Sequence, residues 1–436
     1  MKCSESTLKR TLGPVMLWGL GVGYVISGEY FGWNLGLPLG GTYGMLLATL
    51  FVTVMYITFV LSYTELACAL PHAGGAFVYC REAFGHRGAY LAGVAQCMEF
   101  VFAPPAIAMA LGAYMHQRYT GLSPQFVAIA AYVVFTALNA WGVKQAALFE
   151  LCVTLLAVFE ILLFAGFVAP HFSLAQFENN AWPHGWSGAF ACIPFAMWFY
   201  LAIEGVANAA EEARDPNRDV RLGLGLALCT LVVLVFTVFF AAVGVGGWEA
   251  VVYETNSTSP SDAPLPLALA QVVSKTSPWY TLLLGVGMLG LVASFHGIIL
   301  AAARVTMAMG QGGYFASWLG HVHPRTQTPV WALMVNLLVG VLAILTGHTA
   351  EIITLACFGA ASVYLLSMGA FFKLRHTRPD LLRPYRTPGY PWVPGIALGT
   401  AMVVFAALAM HHIKLFALFM IMLSVAWKFR PAASAR

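Results

Sequence analysis

Four glutamates stand out against an otherwise apolar sequence. Glu29, Glu99, Glu160 and Glu204 each fall well inside a long hydrophobic stretch, with no Lys or Arg at comparable depth. A charge at mid-bilayer costs about 2.5–3.5 kcal/mol even on the lenient insertion scale, so acids kept there imply a use. Unbalanced acids attract an organic ammonium or a metal ion, or carry protons themselves.

Two of these acids sit beside glycine in segments that look unable to stay helical. The first reads Gly21-Val22-Gly23-Tyr24-Val25-Ile26-Ser27-Gly28-Glu29-Tyr30-Phe31-Gly32. The second reads Phe199-Tyr200-Leu201-Ala202-Ile203-Glu204-Gly205, with Pro194 a turn earlier. Discontinuous helices at matching positions of two chain halves point to a transporter site between inverted repeats. Broken backbone survives at membrane depth where it lines a cavity. Bare amides there suit an anion such as a carboxylate. Glu29, placed at the break, offers a carboxylate where an amino acid's own would dock, so an amine without a carboxylate fits better. Tyr24, Tyr30, Phe31 and Trp33 surround one break, and Trp198, Phe199 and Tyr200 the other. A desolvated cation over such rings gains about 2 kcal/mol. The substrate-binding candidates are therefore Ser27, Gly28, Glu29, Tyr30, Phe199, Tyr200, Ile203 and Glu204. The proton-coupling candidates are Glu99, Glu160 and His296. Glu65 and Glu150, nearer the cytoplasmic face, read as structural.

Other chemistry finds little support. H-E-x-x-H, G-x-S-x-G and a P-loop lysine are absent, and the eight cysteines are scattered singly without metal-ligand spacing. Gly285-Val286-Gly287-Met288-Leu289-Gly290 satisfies G-x-G-x-x-G. It lies in an apolar stretch with no preceding strand, so it reads as small residues for close helix packing. No enzymatic activity, cofactor, metal or nucleic-acid partner is expected.

The elements that position these residues follow from composition. Of 436 residues, 60% are apolar and 9% charged, and the mean hydropathy is +0.78. Soluble domains carry about 25% charged residues, so a soluble enzyme is excluded and an all-α polytopic membrane protein remains. A hydrocarbon core of about 30 Å needs about 20 apolar residues per helix. Twelve stretches qualify, at 13–37, 43–69, 89–116, 124–142, 146–169, 187–209, 222–246, 278–308, 329–347, 350–372, 393–411 and 413–429. They form one membrane domain over 1–436, with five-helix units at 13–169 and 187–372 and two further helices at 393–429. The basic residues near the amino terminus have no small-residue cleavage site after them, so the first stretch is read as a retained span rather than a signal peptide. With that terminus inside, the cytoplasmic loops and both tails collect the Lys and Arg residues. Arg118, Lys275 and Lys414 fall outside, and Arg304 lies near the inner end of span 8. This bias places both termini in the cytoplasm. The external loop at 247–277 is expected to hold a short lid helix at 265–273, and it contains the sequon Asn256-Ser257-Thr258.

Several longer runs resemble the amino acid–polyamine–organocation superfamily of secondary transporters. Ser62-Tyr63-Thr64-Glu65-Leu66 and Leu70-Pro71-His72-Ala73-Gly74-Gly75-Ala76-Phe77-Val78-Tyr79 are similar to its second helix and the loop after it. Asp215-Pro216-Asn217-Arg218, His323-Pro324-Arg325-Thr326 and Tyr385-Arg386-Thr387-Pro388-Gly389-Tyr390-Pro391 resemble later cytoplasmic loops. The run Gly23 to Asn34 most resembles the ethanolamine permease subgroup. That resemblance implies a LeuT-like fold of two inverted five-helix repeats. It also implies import of ethanolamine across the cytoplasmic membrane by alternating access, with proton symport as one coupling. A polyamine, choline or amino acid permease of the same superfamily is the alternative. Some members place a lysine mid-way along the fifth helix; Ala157 stands at that position here, with Glu160 one turn on, so that coupling device does not carry over.

Overall fold

Glycines and prolines, more than polar residues, decide where the helices of this chain stop. A computed structural model describes residues 10–72, 74–142, 146–255 and 257–428. Lys2, Cys3, Lys9, Lys144, Asn256 of the sequon, Arg430 and Arg436 lie outside them. The helices run α1 Pro14–Val25, α2 Ser27–Tyr30, α3 Leu37–Ala69, α4 Ala76–Arg118, α5 Pro124–Trp141, α6 Ala146–Val168, α7 Leu174–Glu178, α8 Gly185–Ala191 and α9 Ile193–Trp198. They continue as α10 Pro216–Gly246, α11 Trp248–Val252, α12 Pro264–Leu269, α13 Pro278–Gln311, α14 Val330–Thr346, α15 Thr349–Thr377, α16 Trp392–His411 and α17 Ile413–Lys428. Among the described residues, nine helices are long and apolar enough to cross a membrane, and α14 is a shorter apolar one. Every stretch read as a span contains helix.

Two differences from the sequence reading have local causes. The segment expected as a loop after α3 is helical from Ala76, and a positive φ at Gly85 (+70°) bends the chain before it enters the long part of α4. The external lid helix closes at Leu269, four residues short of the expected end.

α4 is buried along its whole apolar window, with α15, α13, α5 and α14 packed around it. A helix apolar on every side belongs in such a position. At the periphery, Leu338, Leu342 and Leu345 of α14 and Ile421 and Val425 of α17 are exposed. In water these rows would be a liability; in a bilayer they are the lipid contact.

One end of the bundle is held by charge. Glu65 near the end of α3 is buried and accepts a bidentate pair from Arg375 of α15, Nε at 2.7 Å and Nη2 at 2.6 Å. Arg383 lies 3.3 Å away, and the Thr387 amide donates to the same carboxylate at 2.7 Å. The Arg375 guanidinium also lies over the Tyr390 ring, 4.5 Å from its centre. The same end carries the Arg304–Glu212 contact at 3.9 Å and the amide bonds of Thr11 and Leu12 to the Glu212 carbonyl. Removing one member of such a buried, multiply bonded group costs about 3–5 kcal/mol. Glu65→Gln is therefore expected to lower the thermal midpoint of the purified protein clearly, and an unchanged midpoint would show that the clamp contributes nothing.

Candidate functional site

The two segments read as breaks are interrupted, and the two interruptions touch. α1 ends at Val25. A single turn, α2, follows, and then Phe31 is extended and Gly32 takes φ +92°. The second interruption lies between α9 and a 3-10 stretch at Ile203–Glu212, across Phe199 to Ala202. Ala202 holds φ +75°, a left-handed conformation that side-chain-bearing residues rarely adopt outside sites that use the strain. Gly28 sits against the Trp198 carbonyl, where a Cβ would overlap the backbone oxygen. Glycine is required there because two main chains meet.

Between the breaks lies a small pocket with free space of about 170 Å³, lined by Tyr24, Val25, Ser27, Ala103, Trp198, Leu201 and Ile298. Its walls are apolar apart from Ser27, whose hydroxyl pairs with that of Ser294 at 2.8 Å. Ser294 in turn donates to the Tyr24 carbonyl at 2.7 Å. Glu29 stands one residue beyond Gly28. It is fully buried, and neither carboxylate oxygen has a hydrogen-bond partner. The Trp33 indole donates to its carbonyl at 3.2 Å, which fixes the turn but leaves the side chain unpaired. A buried carboxylate in this condition must meet a proton or a cation.

A polar network runs behind the second break. Tyr364 donates to Glu204 at 3.2 Å, and Tyr56 and Tyr364 pair at 3.0 Å. Tyr200 pairs with Thr53 at 2.8 Å. Glu99 of α4 lies beside Glu204, within interaction range. Two acids side by side, without a lysine or arginine at hand, make a place for a proton or a cation.

The structure distributes the remaining candidates. Phe199 stacks on Trp33 with ring centres 5.8 Å apart and does not line the pocket, nor does buried Ile203. Tyr30 turns away from the pocket: its hydroxyl donates to Glu160 at 2.7 Å and to the Ala157 carbonyl at 3.0 Å. Tyr30 and Glu160 belong instead to a second cleft of about 240 Å³ with Tyr114, Tyr280 and the lid residues Leu265, Pro266 and Leu269. The lid loop is tied down by Thr349, which donates to Asp262 at 2.7 Å, and burial pushes the Asp262 carboxyl up to about 6. His296 lies away from both breaks, between the rings of Phe135 and Phe149. Ala103 and Ile298 carry no signal in the sequence, because only long-range packing brings them to the breaks; Leu201 belongs to the second break itself.

The sequence of this chain matches a family model described as amino acid permease over residues 12–429. The chain belongs to the amino acid permease family. It is 28% identical to an uncharacterized transporter of Rhizobium meliloti, across 90% of this chain and 84% of that one. It is 25% identical to the branched-chain amino acid permease BcaP of Bacillus subtilis, across 90% and 87%. It is 26% identical to the methylthioribose transporter of the same organism, across 91% and 87%. Within this permease family the relatives differ in what their names say they carry, so the chain's own site must supply the substrate argument.

The family member's G-x-G-x-x-G run has a specific task, seating Tyr30. A Cβ on Gly290 would lie 2.6–2.8 Å from atoms of the Tyr30 ring, whereas one on Gly285 would meet nothing within 4 Å. Overpacking of this kind costs about 1–3 kcal/mol. Gly290→Ala should therefore lower the thermal midpoint and Gly285→Ala should leave it unchanged; equal effects in the two variants would contradict this seating.

Proposed function

We propose that this permease is a secondary transporter for a small amino acid or closely related amine, with the substrate held between the two breaks. The observation that carries this reading is the buried Glu29 carboxylate, partnerless at the first break; the residue does not itself line the small pocket, whose Ser27 lies two positions before it. The substrate ammonium pairs with Glu29, and its apolar part fills the space bounded by Tyr24, Val25, Trp198 and Leu201. An amino acid would direct its carboxylate to backbone N–H groups freed at the breaks. Binding then closes the halves of the broken helices around the substrate, and release on the other face follows their rocking.

Amino acid transport is the reading favoured by the family and by the branched-chain permease among the relatives. Ethanolamine is the second reading, favoured by one observation: Glu29 already supplies a carboxylate at the break, so a substrate without its own encounters no like charge there. Choline, lacking N–H donors, would depend on a fuller aromatic cage than this pocket offers. Import is proposed to be driven by protons, with the Glu99–Glu204 pair as carrier. The cytoplasmic membrane is the proposed location, with the basic end of the bundle and both termini facing the cytoplasm.

The test is uptake of labelled L-leucine and labelled ethanolamine into liposomes holding the purified protein, each challenged with the other and with choline and putrescine. Saturable L-leucine uptake that ethanolamine does not compete with supports the amino acid reading. Saturable ethanolamine uptake that L-leucine ignores supports the second. In either case Glu29→Gln is expected to reduce uptake at least tenfold, the effect of losing about 1.4 kcal/mol or more of ammonium binding; normal uptake by that variant overturns the assignment of Glu29.

A further inference from the structure

The backbone amide of Gly32, at the first break, is taken up by a side chain. With φ +92°, Gly32 cannot continue the ladder of α2, and its N–H is one of the donors that a broken helix must satisfy elsewhere. It donates to Oδ1 of Asn34 at 3.1 Å. The other end of the same side chain, Nδ2, donates to the Ser261 carbonyl of the external loop at 2.8 Å. Asn34 is fully buried. Its two partners are of opposite kind, a donor and an acceptor, so one orientation of the amide satisfies both, and an aspartate or a leucine of similar size could not.

The loop that Asn34 holds is fastened on its other side to α15. Ser261 is set by its own amide, which donates to the Val252 carbonyl at 2.7 Å, and by its hydroxyl, which donates to Glu254 at 3.1 Å. The next residue, Asp262, accepts from Thr349 of α15 at 2.7 Å, and α15 also carries Tyr364, the donor to Glu204. A further fastening, Gln117 to Glu254 at 2.6 Å, reaches the end of α4. A row of bonds thus runs from the Gly32 amide through Asn34, Ser261 and Asp262 to the helix that serves the second break.

We infer that Asn34 is the positioning residue that makes the first break and the external loop move together, so that the segment carrying Glu29 is linked to α15 by way of Ser261 and Asp262. This rests on the reading of the chain as an alternating-access transporter and names the residue that carries a shift at one break to the outer end of the helix serving the other. Breaking either Asn34 bond alone leaves a buried polar group without a partner, so the pair stays intact while its two segments shift as one. When the loop lifts from Thr349, the pull arrives at the Gly32 amide. The packing of α11 against residues 33–36 is a second link, and the variants below leave it in place.

The test uses hydrogen exchange of the purified, full-length protein without substrate, read by mass spectrometry at residues 30–37, 58–69 and 258–270. Thr349→Val removes the Asp262 fastening at nearly constant shape. It should raise exchange about fivefold, the equivalent of one hydrogen bond, at 258–270 and also at 30–37, and leave 58–69, at the Glu65 end, unchanged. Asn34→Asp keeps an acceptor for Gly32 and loses the donor to Ser261. In that background Thr349→Val should still act on 258–270 and no longer on 30–37. An unchanged loop in Thr349→Val, a response confined to the loop, or an equal rise at 58–69 from general loosening overturns the proposal without any variant at Asn34. Transmission that survives Asn34→Asp overturns it as well, and Asn34→Ala, which removes both bonds, takes its place if that variant does not fold. Because no substrate is present, failure of the uptake experiment leaves this result standing as its own test, and failure here leaves the substrate site untouched.

Discussion

The contact of Gly28 with the Trp198 carbonyl is the constraint on which the site depends. Two helices stop at that point, and only a residue without a Cβ allows their main chains to approach so closely. Regular helix satisfies its own amides and carbonyls; broken helix does not, and lipid supplies no replacement. The interruption is therefore sustainable only inside a protein shell, which α4 and α13 provide through Ala103 and Ile298. Gly32 and Ala202, which both take positive φ, belong to the two breaks that meet there. A small pocket lies at that crossing, and Glu29, whose carboxylate is unpaired, follows Gly28 directly.

Around that crossing, the half-helices are held mainly by shape. Tyr30 fits into the groove left by Gly287 and Gly290, and Glu150 into the one left by Gly23 and Gly297. One lies just beyond the first break and the other alongside the helix before it, so each half is seated on α6 and α13 separately. Contacts of this type are close-packed when made and largely lost when a helix tilts, which favours discrete positions over gradual deformation. The Glu65–Arg375–Arg383 cluster is different in kind. It joins α3, α15 and the following loop through several charge-assisted bonds, and suits a part that stays together.

Much of this was legible in the sequence, for physical reasons. Hydrophobic length marks the spans, because lipid thickness sets it. Gly28 beside Glu29, and Gly205 beside Glu204, mark the breaks, because glycine and an intramembrane acid are both costly in a plain helix. Side-chain direction was not legible. Sequence places Tyr30 with the substrate residues, yet two glycines some 260 positions away draw its ring toward Glu160. The same limit hides Ala103 and Ile298, whose types say nothing until the fold gathers them. The slot opposite Glu150 is hidden for a related reason: the glycines that define it lie on two other helices.

The central claim is that Glu29 receives the substrate ammonium, and chemical protection tests it most directly. Purified protein would be treated with dicyclohexylcarbodiimide with and without saturating substrate, and modification would be quantified residue by residue at Glu29, Glu99, Glu150, Glu160 and Glu204 by mass spectrometry. The account predicts that Glu29 reacts in the free protein and is selectively protected by the transported amine. Equal modification of Glu29 in both conditions, with transport intact, would contradict it.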